Sequence, residues 1–210
     1  MQGERQIKPK TVDVTPGSDQ ALEQQLMSQT VDNLTYEQLT DTVKEKGQDL
    51  EGEFLKETLE WVKDSNDELW RMQWDATLNL RILNKFYFEA MRDKMADLSD
   101  FIKGQIENLR SNNSRNSLQL FSELYSENKD KCEATDGRKM GEPWEPFTEK
   151  VLPTVLAKTC ADKAFIAKIA MKGVLSCVEA CPSRCASRIL IQNAPSKNLK
   201  LAEFSVQALS

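Results

Sequence analysis

The stretch Trp70-Arg71-Met72-Gln73-Trp74-Asp75-Ala76-Thr77-Leu78-Asn79-Leu80-Arg81 decides the reading of this chain. Ahead of it stands Asp64-Ser65-Asn66-Asp67, whose short polar side chains are good helix N-caps. Leu69, Trp70, Trp74, Leu78, Ile82, Leu83 and Phe86 then recur at helical spacing, which predicts a helix over about 68–88. Upstream, Phe54, Leu55, Leu59, Trp61 and Val62 carry the same period and predict a helix over 49–63. Two apolar-striped helices joined by a short polar turn form an antiparallel pair, because only then do both stripes bury at once.

The junction recurs. Comparable polar-to-apolar transitions stand at 111–115, 162–168 and 194–200. They predict four pairs: 49–63 with 68–88, 91–109 with 115–127, 145–160 with 163–180, and 182–192 with 197–209. In the third helix, Met95, Leu98, Phe101, Ile102, Ile106 and Leu109 fall on one face. Residues 126–144 are the longest polar interruption and read as a loop, after which Pro143 and Pro146 introduce the next helix. Strand signals are missing, since β-branched residues are sparse and do not alternate. Helix pairs of about 35–45 residues match the HEAT or armadillo class. The expected fold class is therefore all-α, an α-solenoid of antiparallel helix pairs in about four repeats. Its last helix, with Leu199, Leu201, Phe204, Val206 and Leu209, has an apolar face that nothing later covers. An uncapped solenoid end is unfavourable, so a truncated C-terminus or a covering partner is expected there.

Residues 1–47 are poor in apolar positions and punctuated by Pro9, Pro16-Gly17 and Gly47. They read as a flexible polar tail with short helices around 19–29 and 36–46, and the domain as 48–210.

The net charge of −5 hides an asymmetry. From Lys150 onward nine basic residues face three acidic ones, whereas residues 1–149 carry 19 basic and 30 acidic residues. An acidic first part argues against nucleic-acid binding, and the basic last part suits an acidic protein surface. No apolar run approaches the ~20 residues that span a bilayer, so no membrane partner is expected. Residues 1–10 are polar and hold no secretory signal, which makes the cytoplasm the default.

Enzymatic chemistry finds little support. The chain has no His, hence no Ser-His or Cys-His arrangement, and no Gly-rich phosphate loop. Cys177, Cys181 and Cys185 are spaced by four, but with no His and with Pro182 inside the triplet they read as buried thiols rather than metal ligands. No metal or cofactor is expected.

Two stretches carry a family likeness. One is Trp70 through Met91, with Leu78, Arg81 and Leu83 in the helix. The other is Asn108-Leu109-Arg110-Ser111, followed by Ser114-Arg115 and Leu120-Phe121-Ser122-Glu123-Leu124-Tyr125. A weaker match runs from Phe165-Ile166 through Lys172. These resemble a TOG domain, a HEAT-repeat module that binds tubulin through aligned within-repeat loops, most of all the crescerin group, the TOG-array regulators of axonemal microtubules. The likeness covers about residues 49–210, four of the family's usual six repeats. Where members commonly place a basic residue after Phe-Ile, this chain has Ala167, with Lys168 one step later.

The resemblance implies tubulin or the microtubule lattice as partner, other cytoskeletal or axonemal proteins beside it, and residence in the cytoskeleton, including the cilium and axoneme. It implies tubulin contacts at Trp70, Arg71, Ser114, Arg115, Lys168, Lys197 and Lys200. The physical logic is that Arg and Lys on a rigid edge steer toward and pair with an acidic surface, while Trp70 supplies a large apolar anchor.

Plainer readings stand beside these. Trp70 and Trp74 are four residues apart and both can pack in the first pair's core. Arg115 can cap its helix or bridge neighbouring repeats, Lys168 and Lys200 can be ordinary solvated lysines, and Arg81, inside a helix, reads as structural. The competing function is a generic HEAT scaffold with no tubulin contact.

Overall fold

The apolar periodicity resolves into nine α-helices among the described residues of a computed structural model, which covers residues 33–41, 53–63, 70–92, 94–129, 141–180 and 184–210. They are α1 (Glu53–Lys63), α2 (Trp70–Phe86), α3 (Phe88–Arg92), α4 (Met95–Glu107), α5 (Ser111–Ser126), α6 (Gly141–Lys158), α7 (Ala164–Ala180), α8 (Arg184–Asn193) and α9 (Leu199–Gln207). No strand occurs among the described residues. All belong to the unit Asp32–Ser210.

Each expected pair packs together: α1 on α2, α4 on α5, α6 on α7, α8 on α9. Between pairs, first members meet first members (α4 on α6, α6 on α8, and more sparingly α1 on α4), and second members meet second members (α2 on α5, α5 on α7).

Three boundaries differ from expectation. The helix expected over 91–109 ends at Glu107, and its start belongs to the short α3. The helix expected from 115 begins at Ser111. Both shifts meet at Asn108, whose extended backbone (ψ 137°) breaks α4 and whose Oδ1 accepts the Arg110 N–H at 2.8 Å. This Asx-type turn reverses the chain in three residues, so the next helix starts at once. The helix expected from 145 begins at Gly141 and contains Pro146 and Pro153, both exposed and two turns apart. Each proline lacks an N–H and so removes one helical hydrogen bond, and the exposed side of a helix tolerates that loss best.

Helix α2 is central. Every residue from Ala76 to Asn84 is buried, so it meets neighbours all round its circumference. Leu80, Ile82 and Leu83 are fully buried, each stabilising by roughly 1.5–3 kcal/mol. An aromatic cluster joins α3, α5 and α6: Phe88 stacks on Trp144 at 5.7 Å, Trp144 meets Tyr125 at 5.3 Å, and Phe121 meets Phe147 at 6.1 Å. Tyr125 satisfies its hydroxyl on Thr148 Oγ1 at 2.7 Å. Gly173 lets α7 approach α5, because a Cβ there would lie 3.1 Å from Phe121 Cδ1.

Residues 33–41 also belong to this unit, although the sequence reading ran the tail to residue 47. Thr35 N–H donates to Gln38 Oε1 at 2.8 Å, half of a capping box, and a helical turn at 39–41 buries Leu39 completely. The rest of the expected tail, including the helix read around 19–29, lies outside the described residues.

Candidate docking rim

Three hairpin tips are joined by specific contacts. At the start of α2, the Trp70 carbonyl accepts from Asn113 Nδ2 of α5 at 3.0 Å. Arg110, just ahead of α5, holds its guanidinium 5.1 Å from the centre of the Trp70 ring. Lys163, just ahead of α7, donates through Nζ to Ser111 Oγ at the start of α5. Arg115, one turn into α5, lies 5.9 Å from the Phe165 ring at the start of α7. The N-terminal ends of α2, α5 and α7 therefore sit side by side.

Apolar side chains project from this edge. The Asn108 turn throws Leu109 into solvent, 98% exposed, and Phe165 is 44% exposed. Arg110, Lys163 and Lys168 are exposed around them. The first turns of α5 and α7 contain no acidic residue. Acidic side chains ordinarily favour that position, where unpaired N–H groups and the helix dipole leave partial positive charge. Their absence leaves that partial positive charge without a first-turn carboxylate on α5 and α7. Among the described residues, Glu107 and Asp162 are the exposed acids nearest in sequence to the starts of α5 and α7.

Behind the edge, polar side chains lock the first two hairpins. Asn113 Nδ2 also donates to Gln105 Oε1 at 3.1 Å, and Gln105 Nε2 donates to Gln73 Oε1 at 3.1 Å. Asn116 Nδ2 donates to the Trp74 carbonyl at 3.1 Å. An open cleft of about 820 Å³ lies beside them, lined by Val62, Lys63, Phe101, Leu109 and Arg110 among others.

Deeper in, Arg81 is fully buried. It donates from Nε to Glu123 Oε2 at 2.8 Å, from Nη2 to Glu123 Oε1 at 2.6 Å, and from Nη1 to Asn116 Oδ1 at 3.0 Å. Burial pushes the Glu123 carboxyl above its ordinary value, and the bonds from Arg81 oppose that shift. Arg81 is structural, as its place inside a helix suggested.

The residues expected to touch tubulin are distributed unevenly. Trp70 is only 7% exposed, so the expectation of a surface anchor is corrected. Asn113 holds its carbonyl and Arg110 covers its ring, both contributed by the next hairpin. Ser114 is buried too, its hydroxyl donating to the Ile106 carbonyl at 2.8 Å, which ties α5 to α4 and leaves nothing for a partner. Arg71 is partly exposed but paired with Asp75 at 3.3 Å and poised over Trp74. Arg115 lies on the rim and reaches the neighbouring hairpin, while its Nε is shielded from water without a hydrogen-bond partner among the described residues. Lys168 is exposed on α7. Lys197 and Lys200 are exposed at the fourth tip, beside Leu199 at 74%.

Leu109, Arg110, Lys163 and Phe165 are the exposed residues at this edge, and none of them is among the contacts the resemblance implies. Leu109 was expected on the buried face of its helix. The signal was present in its neighbours: a Leu between Asn108 and Arg110-Ser111-Asn112 sits in turn chemistry, beyond the last helical residue.

Elsewhere, Cys177 and Cys185 are buried, and burial followed by the nearby Glu149 pushes the Cys185 thiol up. Cys132 and Cys181 lie outside the described residues. Among those described, no group of His, Cys, Asp or Glu is placed to hold a metal, and no helix is long and apolar enough to cross a membrane. Comparison with protein-family models, curated proteins and solved structures returns no match for this chain.

Proposed function

We propose that this chain is a non-enzymatic α-solenoid of HEAT-like repeats that docks an acidic protein surface along the rim, with tubulin as the partner. The alternation of packing partners, first helices with first and second with second, supports the solenoid. One observation carries the docking role. Two adjoining helix N-termini without first-turn acids, those of α5 and α7, stand beside an exposed Leu109 and Phe165, with Arg110 and Lys163 next to them. Apolar anchors within a cationic rim suit a partner that offers carboxylates around a shallow apolar spot. Tubulin, free or in the lattice, meets that description, and the sequence resemblance to TOG domains names it. The cytoskeleton, including the axoneme, is the compartment this reading implies.

The burial of Trp70 favours a second reading, a general repeat scaffold without tubulin contact, because the anchor the resemblance supplied is not at the surface. Binding of the wild type and of Leu109→Ser/Arg110→Glu/Lys163→Glu to free tubulin and to stabilised microtubules, side by side, separates the two. The tubulin reading expects at least about a tenfold loss of affinity in the triple variant with helicity unchanged. Absent tubulin binding, or binding indifferent to the substitutions, sustains the scaffold instead.

A further inference from the structure

Residues 33–41 form a strap, three residues without regular structure followed by a turn. Two cations of α2 read its main chain. Arg81 Nη2 donates to the Leu34 carbonyl at 2.7 Å, and Lys85 Nζ donates to the Tyr36 carbonyl at 2.5 Å. Two side chains fill the rest. Tyr36 presents its ring to Lys85 Nζ at 4.5 Å and accepts at its hydroxyl from Asn84 Nδ2 at 3.5 Å, while Leu39 is completely buried.

The receptor side is built largely without the strap. Arg81 is held by Glu123 and Asn116, and Asn84 accepts from Asn128 Nδ2 at 2.9 Å. A guanidinium already oriented by its own partners and aimed at a peptide carbonyl loses little freedom when that carbonyl arrives. Main-chain bonds then give affinity, and the seats for Tyr36 and Leu39 give selectivity. Burial, then the negative charges of Glu127 and Glu123, push the Tyr36 hydroxyl pKa up, so a neutral aromatic suits that seat better than a carboxylate would.

We propose that the face of α2 that Glu123 and Asn116 of α5 brace is a peptide-binding groove for a Tyr-x-x-Leu segment, filled in cis by residues 33–41 and open to a partner segment of the same pattern once the strap leaves. The groove is independent of the rim reading: it uses other residues and stands whether or not tubulin binds.

A tethered strap acts at an effective concentration of about 1 mM, so a free peptide with a Kd of about 0.1 mM has its apparent affinity lowered about tenfold. The test uses the full chain and a fluorescein-labelled peptide of residues 32–43. The strap-weakened variant Tyr36→Ala/Leu39→Asp is expected to bind it about tenfold tighter than the wild type, and a scrambled peptide to bind neither. No binding by the folded double variant, equal binding by both proteins, or equal binding of the scrambled peptide overturns the proposal. Should the double variant unfold, Tyr36→Ala alone carries the comparison with an expected gain of about threefold, and no gain overturns it.

Discussion

Replacing Arg81 by Met removes the most constrained cation among the described residues. Its guanidinium is fully buried and makes four hydrogen bonds: two to Glu123, one to Asn116 and one to the Leu34 carbonyl. The Glu123 side chain is only 11% exposed, so its charge is left with little solvent to replace the lost partner. Breaking a buried pair from one side costs about 3–5 kcal/mol. Asn116, itself fully buried, loses a donor as well, whereas the half-buried Leu34 carbonyl can turn to water. Arg81→Met is therefore expected to cost about 4 kcal/mol near neutral pH, a large part of a typical stability of roughly 5–15 kcal/mol.

The loss depends on pH. Glu123 already titrates above its ordinary value because it is buried, and without Arg81 it titrates higher still. A carboxyl raised by folding contributes stability below its unfolded pKa of about 4.3, and that contribution is lost as pH rises through the folded value. The variant should thus be less impaired at pH 5 than at pH 8. Arg81→Met/Glu123→Leu, which empties both sides, should recover all but about 1–2 kcal/mol. Urea unfolding followed by circular dichroism at the two pH values measures all three. A cost for Arg81→Met below about 1 kcal/mol, or one that grows on acidification, refutes the reasoning.

Other expectations follow from particular contacts. Trp70→Ala should lower stability by about 3–5 kcal/mol, visible as a fall in Tm, because the indole is packed under Arg110 and not free in solvent. Gly104→Ala, mid-helix with open space at the Cβ position, should stabilise by about 0.5–1 kcal/mol, whereas Gly173→Ala should destabilise by about 1 kcal/mol as the Cβ presses on Phe121; thermal melts read both. Leu109→Ser, at a fully solvated position, should change stability by less than about 0.5 kcal/mol in the same melts while weakening partner binding. Binding through exposed Arg110 and Lys163 should also weaken steeply between about 0.05 and 0.2 M salt, measured by co-sedimentation.

The helices were legible because their apolar period is local. The reading of 68–88 became α2 at Trp70–Phe86, and that of 163–180 became α7 at Ala164–Ala180. What escaped depended on distant residues. Trp70 stands four residues before Trp74, and that spacing alone suits either a core or a surface role. Asn113 and Arg110, some forty positions on, decide it. Leu109 continues the apolar period of α4, but Asn108 ends the helix first, so the phase no longer applies. Residues 33–41 offer only Leu34, Tyr36 and Leu39 as apolar signals, and the Arg81 and Lys85 that meet them stand more than forty positions on. Arg81 as a structural residue was legible, while its partner Glu123, one turn beyond Gln119 on another helix, was not.

The docking edge itself is most directly tested by a photo-crosslinking amino acid placed at position 109, with the exposed position 187 on α8 as control, each chain mixed with tubulin. Crosslinks are expected from 109 to acidic segments of tubulin, suppressed by Arg110→Glu/Lys163→Glu, and few from 187. Crosslinks from 187 with none from 109 would contradict it, as would crosslinks from 109 that the charge reversals leave unchanged.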